Sequence, residues 1–480
     1  MPAPSAYRAR ATARLFAHEA PLTAAWLASQ RWFGGKARSI DRLSVADVVW
    51  LGAEHTNLAF VILDVHYGDA LRGAAVERYA LLAEIDAASG GVTEKGTDAE
   101  SIRAVLRTLI ADTRAAGARG GEIHVGDVTD AARRDLGTGS AESIAVKPLG
   151  FEQSNTSLRI GNGYILKLIR RLQPGEHPQL EIGRFLARVG FRFAPPLLGS
   201  LTYRGADGGT YAIVALEGWV DNAGDGWRYV FDALERRAIS SLAGEMFRLG
   251  AITAAFHVAL ASDRTSEAFA PEPVSAHDVR RWRGAVESDA ARLLEIIDHD
   301  HPSWPAEAAA LGRTLLERRE QVAARLHGLD LTGGLAALRK IRVHGDFHLG
   351  QTLKTADGFV LIDFEGEPAR PLAERRQKHC ALKDVAGLLR SLDYAEATVI
   401  RRAPAAGGVV PTLRQSFLDG YYSEPQLRSF LPRAREESSQ LLTLFELEKA
   451  FYEIEYELNN RPDWLHIPLA AVVHALGARP

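Results

Sequence analysis

Short apolar runs of strand length crowd the first 216 residues, and nearly everything after them carries helical periodicity. One loop-and-strand segment, Val343 to Phe364, interrupts the helical part. No other feature narrows the fold as much. Strands first and helices second build an α+β architecture, not alternating βαβ units. A chain of 480 residues suits roughly three domains. The pattern divides at 1–115, 116–216 and 217–480.

The first division opens with a helical pattern, Leu15 to Leu27, followed by Gln30-Arg31-Trp32-Phe33-Gly34-Gly35-Lys36. Two β-like runs, Asn57 to Val65 and Arg78 to Ile85, flank a loop holding Gly68, Asp69 and Gly73, which suggests an antiparallel pair. A helix from about Asp98 to Ala115 completes a small α+β unit. In the second division Ile144–Leu149 is a strand candidate and Glu152–Ser157 a polar loop. Leu158–Ile160 and Tyr164–Ile169 read as a hairpin about Gly161-Asn162-Gly163. A helix follows Pro178, then a strand from Thr210 to Leu216. A β-rich small lobe, a connector and a helical lobe with central loops form a kinase-like layout.

Composition closes off other classes. Lys and Arg number 57 against 60 Asp and Glu, a net charge of −3. No basic excess exists to neutralise a phosphate backbone, so no nucleic-acid partner is expected. The lone Cys380 permits no intrachain disulfide and fits a reducing, cytoplasmic setting. No apolar run approaches the ~18 residues of a membrane span. Met1 to His18 holds three Arg and no acid, and reads as a first helix in preference to a transit peptide. Asp298-His299-Asp300-His301-Pro302 looks like a metal cluster but reads better as a polar loop before a helix.

The chemistry lies in Val343-His344-Gly345-Asp346-Phe347-His348-Leu349-Gly350-Gln351 and Val360-Leu361-Ile362-Asp363-Phe364-Glu365-Gly366. Phosphoryl transfer needs a carboxylate to orient and deprotonate the attacking hydroxyl, and oxygen ligands for Mg²⁺. Asp346 precedes the amide of Gln351 by five residues, and Asp363 directly follows the apolar run Phe359 to Ile362. In that order they point to a phosphotransferase, with Asp346 and the flanking His344 and His348 as its catalytic candidates. The bland alternative is a turn in which Asp346 and His348 bond backbone amides.

ATP would be cradled upstream. Lys167 lies on a hairpin strand after a small-residue polar loop, and Glu181 on the following helix is placed to hold its ammonium. Lys147 competes, although Pro148 marks a strand end. Ser154, Asn155, Thr156 and Ser157 offer hydroxyl, amide and backbone donors to phosphates, or form an ordinary turn. Near the end, Leu444 to Asn460 reads as one helix with Leu444, Leu447, Phe451, Ile454 and Leu458 on its core face. Lys449, Tyr452, Glu453, Tyr456 and Asn460 share the opposite face. Two readings stand: a sugar-binding wall, or a solvated surface with a Lys449–Glu453 ion pair. Asp384 either caps a helix or fixes the catalytic loop.

Together, His344–Gln351, Leu361–Pro368, Asp384–Ser391, Glu152–Ser157, Leu166–Arg171, Gln30–Lys36 and Asn460–Leu469 resemble bacterial maltokinases over nearly the whole chain. The resemblance implies an α+β, bilobal, eukaryotic-protein-kinase-like fold of the aminoglycoside-phosphotransferase type with an N-terminal α+β cap domain. On it, 1–115 is the cap, 116–216 the ATP-binding small lobe, and 217–480 the helical lobe with catalytic loop and sugar site. It implies ATP- and Mg²⁺-dependent conversion of maltose to maltose 1-phosphate, on the trehalose-to-glycogen route. It carries with it a functional link to trehalose synthase and a monomer or weak homodimer. By this likeness Asp346 is the base, Gln351 and Asp363 bind the metal, and Lys167 and Glu181 position phosphates. Lys449 and Tyr452 match positions on the sugar-binding helix. Asp-Phe-Glu at Asp363 replaces the Asp-Phe-Gly of protein kinases, which argues against a protein substrate. The nearest rival is a glucosamine kinase, in which Glu453 would meet the ammonium group. A non-catalytic sugar sensor should have lost Asp346, Asp363 or Lys167, and all three are present. A true aminoglycoside phosphotransferase would want a more acidic pocket than the mixed Lys449/Glu453 face.

Overall fold

The structure is a computed structural model that describes residues 6–17, 22–52, 56–68, 74–86, 88–137, 143–150, 155–300, 303–329, 331, 334–368, 370–402, 407–432 and 435–476. It divides into two compact units. The first comprises residues 1–190, 195–220 and 368–375, the second 191–194, 221–367 and 376–480.

In chain order the first unit runs α1 (Ala6–Phe16), α2 (Ala24–Ser29), β1 (Ile40–Trp50), β2 (Leu58–Tyr67), β3 (Val76–Ile85), β4 (Val92–Glu94), α3 (Ala99–Ile110), β5 (Ala115–Ala116), β6 (Glu122–Gly126) and α4 (Asp130–Gly137). It continues with β7 (Val146–Leu149), β8 (Asn155–Ile160), β9 (Tyr164–Ile169), β10 (Arg171–Leu172), α5 (Pro178–Arg188), β11 (Leu197–Arg204) and β12 (Thr210–Gly218). One sheet has the order β1-β2-β3-β10 with β4 beside β3; the other has the order β5-β6-β11-β12-β9-β8-β7. The expected pair is present: β2 and β3 run antiparallel with Val61 opposite Leu81.

Both faces of β2 are buried, which explains its unbroken apolar run. Ala59, Val61 and Leu63 pack with Leu15, Leu27 and Phe33, while Phe60 and Ile62 join Leu106, Leu109, Leu158 and Leu201. The expected helix from Leu15 to Leu27 is two helices. Thr23 starts the second, its hydroxyl accepting from the Trp26 N–H at 3.1 Å, and residues 18–21 lie outside the described residues. Asn155, Thr156 and Ser157 are strand, not loop, because they pair with Ile169, Leu168 and Lys167 and lengthen the hairpin. Glu152, Gln153 and Ser154 lie outside the described residues. Strands β1 and β11 were not anticipated; the polar start of β1, Ile40-Asp41-Arg42-Leu43-Ser44, masks its pattern.

The second unit holds α6 (Gly226–Glu235), α7 (Ile239–Leu260), β13 (Glu272–Pro273), α8 (Ala276–Asp300), α9 (Ala306–Glu317), α10 (Arg319–His327), β14 (Arg339–Lys340), β15 (Thr352–Thr355) and β16 (Gly358–Leu361). The short α11 (Leu372–Arg375) belongs to the first unit, and α12 (Leu382–Arg402), α13 (Val410–Tyr422), α14 (Glu436–Asn460) and α15 (His466–Ala475) complete the second. Helices α7 and α13 approach so closely that a Cβ on Gly250 would collide with the Phe417 carbonyl, and one on Gly420 with that of Phe247. Asp298–Asp300 form the last turn of α8, not a loop, and His301 and Pro302 lie outside the described residues. Among the described residues no group of three or more His, Cys, Asp or Glu is arranged to hold a metal, and no helix is long and apolar enough to cross a membrane.

Candidate active site

The loop from Val343 to Gln351 joins β14 to β15, and its shape is set from α12. Asp384, in the first turn of that helix, is buried. Its Oδ2 accepts from the His344 N–H at 2.7 Å and from His257 Nε2 at 3.1 Å, and its Oδ1 from the Gly345 N–H at 2.9 Å. Burial works to raise the carboxyl pKa, but His257 and the backbone donors outweigh it and hold it below the usual range. Of the two roles open to Asp384, the geometry gives loop fixing. Gly345 sits at φ +85°, where a side chain would be strained.

The two histidines bond backbone groups. His344 places Nε2 2.9 Å from the Ile362 carbonyl, and His348 Nδ1 accepts from the Gly350 N–H at 3.1 Å. Burial lowers the His348 pKa, consistent with a neutral ring that accepts at Nδ1. Both rings thus brace the loop on either side of Asp346.

Asp346 lies between these histidines and is partly exposed. Its Oδ1 is 3.3 Å from Lys449 Nζ, and the same ammonium is 3.1 Å from Glu367 Oε1. Gln351 Nε2 lies 3.3 Å from Asp363 Oδ2. Asp363 has φ +67°, a left-handed backbone that a non-glycine residue holds only when its surroundings enforce it. The candidate metal pair is thus brought together.

Helix α14 divides the expected sugar face. Leu444, Leu447, Phe451 and Ile454 are buried as anticipated, and Leu458 is half-buried. Tyr452 and Tyr456 are exposed, and Lys449 Nζ lies 4.9 Å from the Tyr452 ring centre. Asn460 Nδ2 donates to the Tyr456 carbonyl at 2.8 Å. Glu453 departs from the expectation. Its Oε2 accepts from Arg390 Nε at 3.0 Å and Nη2 at 2.7 Å, and Arg390 is itself buried. Lys449 ion-pairs with Asp346 and Glu367, so the plain surface pair with Glu453 is replaced. Burial opposes the Lys449 charge, but Asp346, Glu367 and Glu453 together raise its pKa.

In the first unit, Lys167 on β9 is buried, with Nζ 3.7 Å from Glu217 Oε2 on the neighbouring β12. Gln179 Nε2 donates to the other Glu217 oxygen. Glu181 is buried in the first turn of α5. The competing Lys147 is exposed on β7. Thr156 Oγ1 accepts from Arg170 Nε at 3.0 Å, which commits that hydroxyl within the protein. The Ser157 hydroxyl, beside Lys167 across the hairpin, is buried with no hydrogen-bond partner among the described residues. Asn155 is half-buried at the start of β8. Sequence reasoning missed Glu217, Glu367 and Arg390. Glu367 alone left a local trace, as the second of two acids following Asp363.

Comparison with known proteins adds the family relations of the chain. A model of the maltokinase N-terminal cap domain matches residues 26–111, and a model of the phosphotransferase enzyme family matches residues 145–366. The chain has a capped phosphotransferase fold. Its fold is of the aminoglycoside-phosphotransferase, protein-kinase-like type. Among curated relatives, the glucosamine kinase of Mycolicibacterium smegmatis is 29% identical over 334 residues, 68% of this chain and 78% of that protein. The glucosamine kinase of Streptacidiphilus jiangxiensis is 29% identical over 360 residues, 71% of this chain and 76% of that protein. Among solved structures, a glucosamine kinase in complex with glucosamine, ADP and inorganic phosphate superposes with a TM-score of 0.65 at 24% identity. It covers 95% of this chain and 99% of its own. A further crystal form of glucosamine kinase also gives 0.65, at 22% identity. These likenesses show the fold.

Proposed function

We propose that this phosphotransferase is an ATP-dependent sugar kinase with glucosamine as its acceptor. One observation carries the choice of acceptor: two carboxylates, Asp346 and Glu367, share the single ammonium of Lys449. A second carboxylate so close to the candidate base supports a cationic sugar over a neutral one. The names of the two curated relatives described above point the same way. Glu453 was the carboxylate first suspected of meeting an amino group. With Glu453 held by Arg390, Glu367 takes that place.

In this reading Asp346 orients the acceptor hydroxyl and takes its proton as the phosphoryl group transfers. Lys449 fixes the Asp346 carboxylate, and Tyr452 and Tyr456 offer ring faces and hydroxyls to the sugar. Lys167, steadied by Glu217 and Gln179, holds phosphate oxygens, with the unpaired Ser157 hydroxyl as a further donor. Gln351 and Asp363 fit Mg²⁺: they are adjacent hard oxygen donors, and turning over the Gln351 amide sets its oxygen toward Asp363. Such an ion, when bound, neutralises charge on the transferring phosphate.

The second reading, maltose phosphorylated at its anomeric hydroxyl, is favoured by the cap-domain match. A coupled ADP-release assay with Mg²⁺-ATP across glucosamine, maltose, glucose and kanamycin separates the two. Glucosamine is expected to give the highest kcat/KM. Turnover of maltose at a higher kcat/KM than glucosamine overturns the proposal.

A further inference from the structure

We propose that Arg170 is a positioning residue through which the cap domain sets the phosphate-holding lysine, and hence the affinity for nucleotide. The inference rests on the reading of Lys167 given above and assigns the cap a part in that same site.

The chain that carries Lys167 passes directly from one sheet into the other. As β9 it pairs with β8 and β12, with Lys167 opposite Ser157 on one side and Ala215 on the other. Directly after β9 the Arg170 carbonyl accepts from the Ala80 N–H of β3 at 2.8 Å. The chain then runs on as β10, with Arg171 opposite Tyr79 and Leu172 opposite Arg78 in the cap sheet. Any shift of the cap against the β8–β9 hairpin must therefore move the backbone three residues from Lys167.

The side chains of Arg170 and Arg171 tie the same joint to two separate cap acids. Arg170 is 1% exposed. Its Nη2 donates to Glu94 Oε1 at 2.7 Å, and its Nε donates to Thr156 Oγ1 at 3.0 Å. The guanidinium lies 5.2 Å from the ring centre of Trp32. The seat is built for it. A Cβ on Gly96 would collide with Arg170 Nη2, and the Gly96 N–H donates to the same Glu94 oxygen at 2.8 Å. Arg171 Nη2 reaches Glu77 Oε1 at 2.7 Å, and the Tyr67 and Tyr79 hydroxyls donate to the other Glu77 oxygen at 3.0 and 2.7 Å.

A buried guanidinium is costly, and well-packed apolar residues often serve stability as well or better. What the guanidinium adds here is direction. It bonds at once to the cap strand that ends in Glu94 and to Thr156, the neighbour of Ser157. A rigid fork of donors suits that bridging. The cap thereby ties β8 to the end of β9 just beyond the Ser157–Lys167 pair, through Thr156 on one strand and Arg170 after the other.

The test uses the full-length protein with ADP as the probe. Arg170→Met removes the fork and keeps most of the apolar stem; Glu94→Gln and Thr156→Val each weaken one arm. ADP Kd is measured by titration calorimetry with Mg²⁺, alongside kcat and the sugar KM at saturating ATP. Arg170→Met is expected to weaken ADP binding about tenfold, the size of one lost charged hydrogen bond. Glu94→Gln should have a smaller effect in the same direction, with the sugar KM within twofold and Arg170→Lys partly restoring ADP affinity. Lys167→Met is run in parallel. If it abolishes ADP binding while Glu94→Gln, Thr156→Val and every folded Arg170 variant leave ADP Kd within twofold, the coupling is refuted and Lys167 keeps its role. If Lys167→Met itself leaves ADP Kd unchanged, the assignment of Lys167 fails and this inference falls with it. Should Arg170→Met not fold, Thr156→Val and Glu94→Gln decide by the same criterion.

Discussion

Replacing Lys449 by Met removes an ammonium that lies 3.3 Å from Asp346 and 3.1 Å from Glu367 while keeping most of the side-chain volume. At an effective dielectric of about 20, each such pair has a gross attraction of roughly 5 kcal/mol. Most of that is offset by desolvation of groups that sit partly in water; Lys449 and Asp346 keep 21% and 23% of their side-chain surface. A net loss of about 1.5–3 kcal/mol is the realistic scale for a hydrogen bond to a charged group. That corresponds to about 10- to 100-fold in kcat/KM for the sugar. Because the ammonium touches Asp346, the loss should divide between kcat and the sugar KM, with the ATP KM nearly unchanged. Steady-state ADP release with glucosamine varied at saturating ATP measures both. Glu453→Ala is the contrasting variant from the same helix. It leaves the buried Arg390 paired with Asp393 at 2.8 Å but without its two bonds to Glu453, and should cost about 1.5–3 kcal/mol in urea melts, with the sugar KM within twofold. If Lys449→Met leaves both sugar parameters within twofold, the placement of Lys449 between base and acceptor is wrong.

Three further outcomes follow from the site and its surroundings. Asp346→Asn should keep the fold and nucleotide binding but lower kcat by about 10²–10⁴; wild-type turnover in a clean preparation would remove Asp346 from the base role. Asp363→Ala should abolish productive Mg²⁺-ATP binding, and Gln351→Ala should be milder because only a neutral amide is lost, with equal damage at saturating Mg²⁺ reversing that ranking. Asp278 tests the electrostatics away from the site. Burial opposes its charge, yet the Ser275 hydroxyl and N–H and Lys340 lower its pKa from 3.8 to about 2. A depressed carboxyl pKa gives stability that is present above pH 3.8 and lost as pH falls toward 2. Asp278→Asn should therefore cost up to about 2 kcal/mol in urea melts at pH 5, a gap that closes on acidification. A gap that does not change with pH would contradict the assignment.

What could be read from the chain is what sits close together along it. The β2–β3 pair, the β8–β9 hairpin and the helix after Pro178 follow from local periodicity and turn residues, and the order Asp346, Gln351, Asp363 from one short segment. The partners that give these residues their setting lie far away in sequence. Glu367 meets Lys449 across 82 residues, Arg390 meets Glu453 across 63, and Arg170 meets Glu94 across 76. Such meetings depend on helix and sheet packing that no local pattern encodes. The face of α14 shows the limit within one helix. Periodicity places Lys449, Tyr452, Glu453 and Tyr456 on one side, but only the neighbouring α12 turns Glu453 inward to Arg390. Asn155 to Ser157 fail for a related reason: polar residues resemble a loop until their strand partners on β9 are known. Choice of acceptor was hardest to read, since the catalytic segment itself does not name the sugar and the charges around it are brought in from distant parts of the chain.

The most direct measurement is a single competition reaction. Wild-type protein with Mg²⁺-ATP and equimolar glucosamine and maltose is sampled at low conversion, and the products are identified by mass spectrometry. The account predicts hexosamine phosphate as the dominant product. A dominant disaccharide phosphate would contradict it.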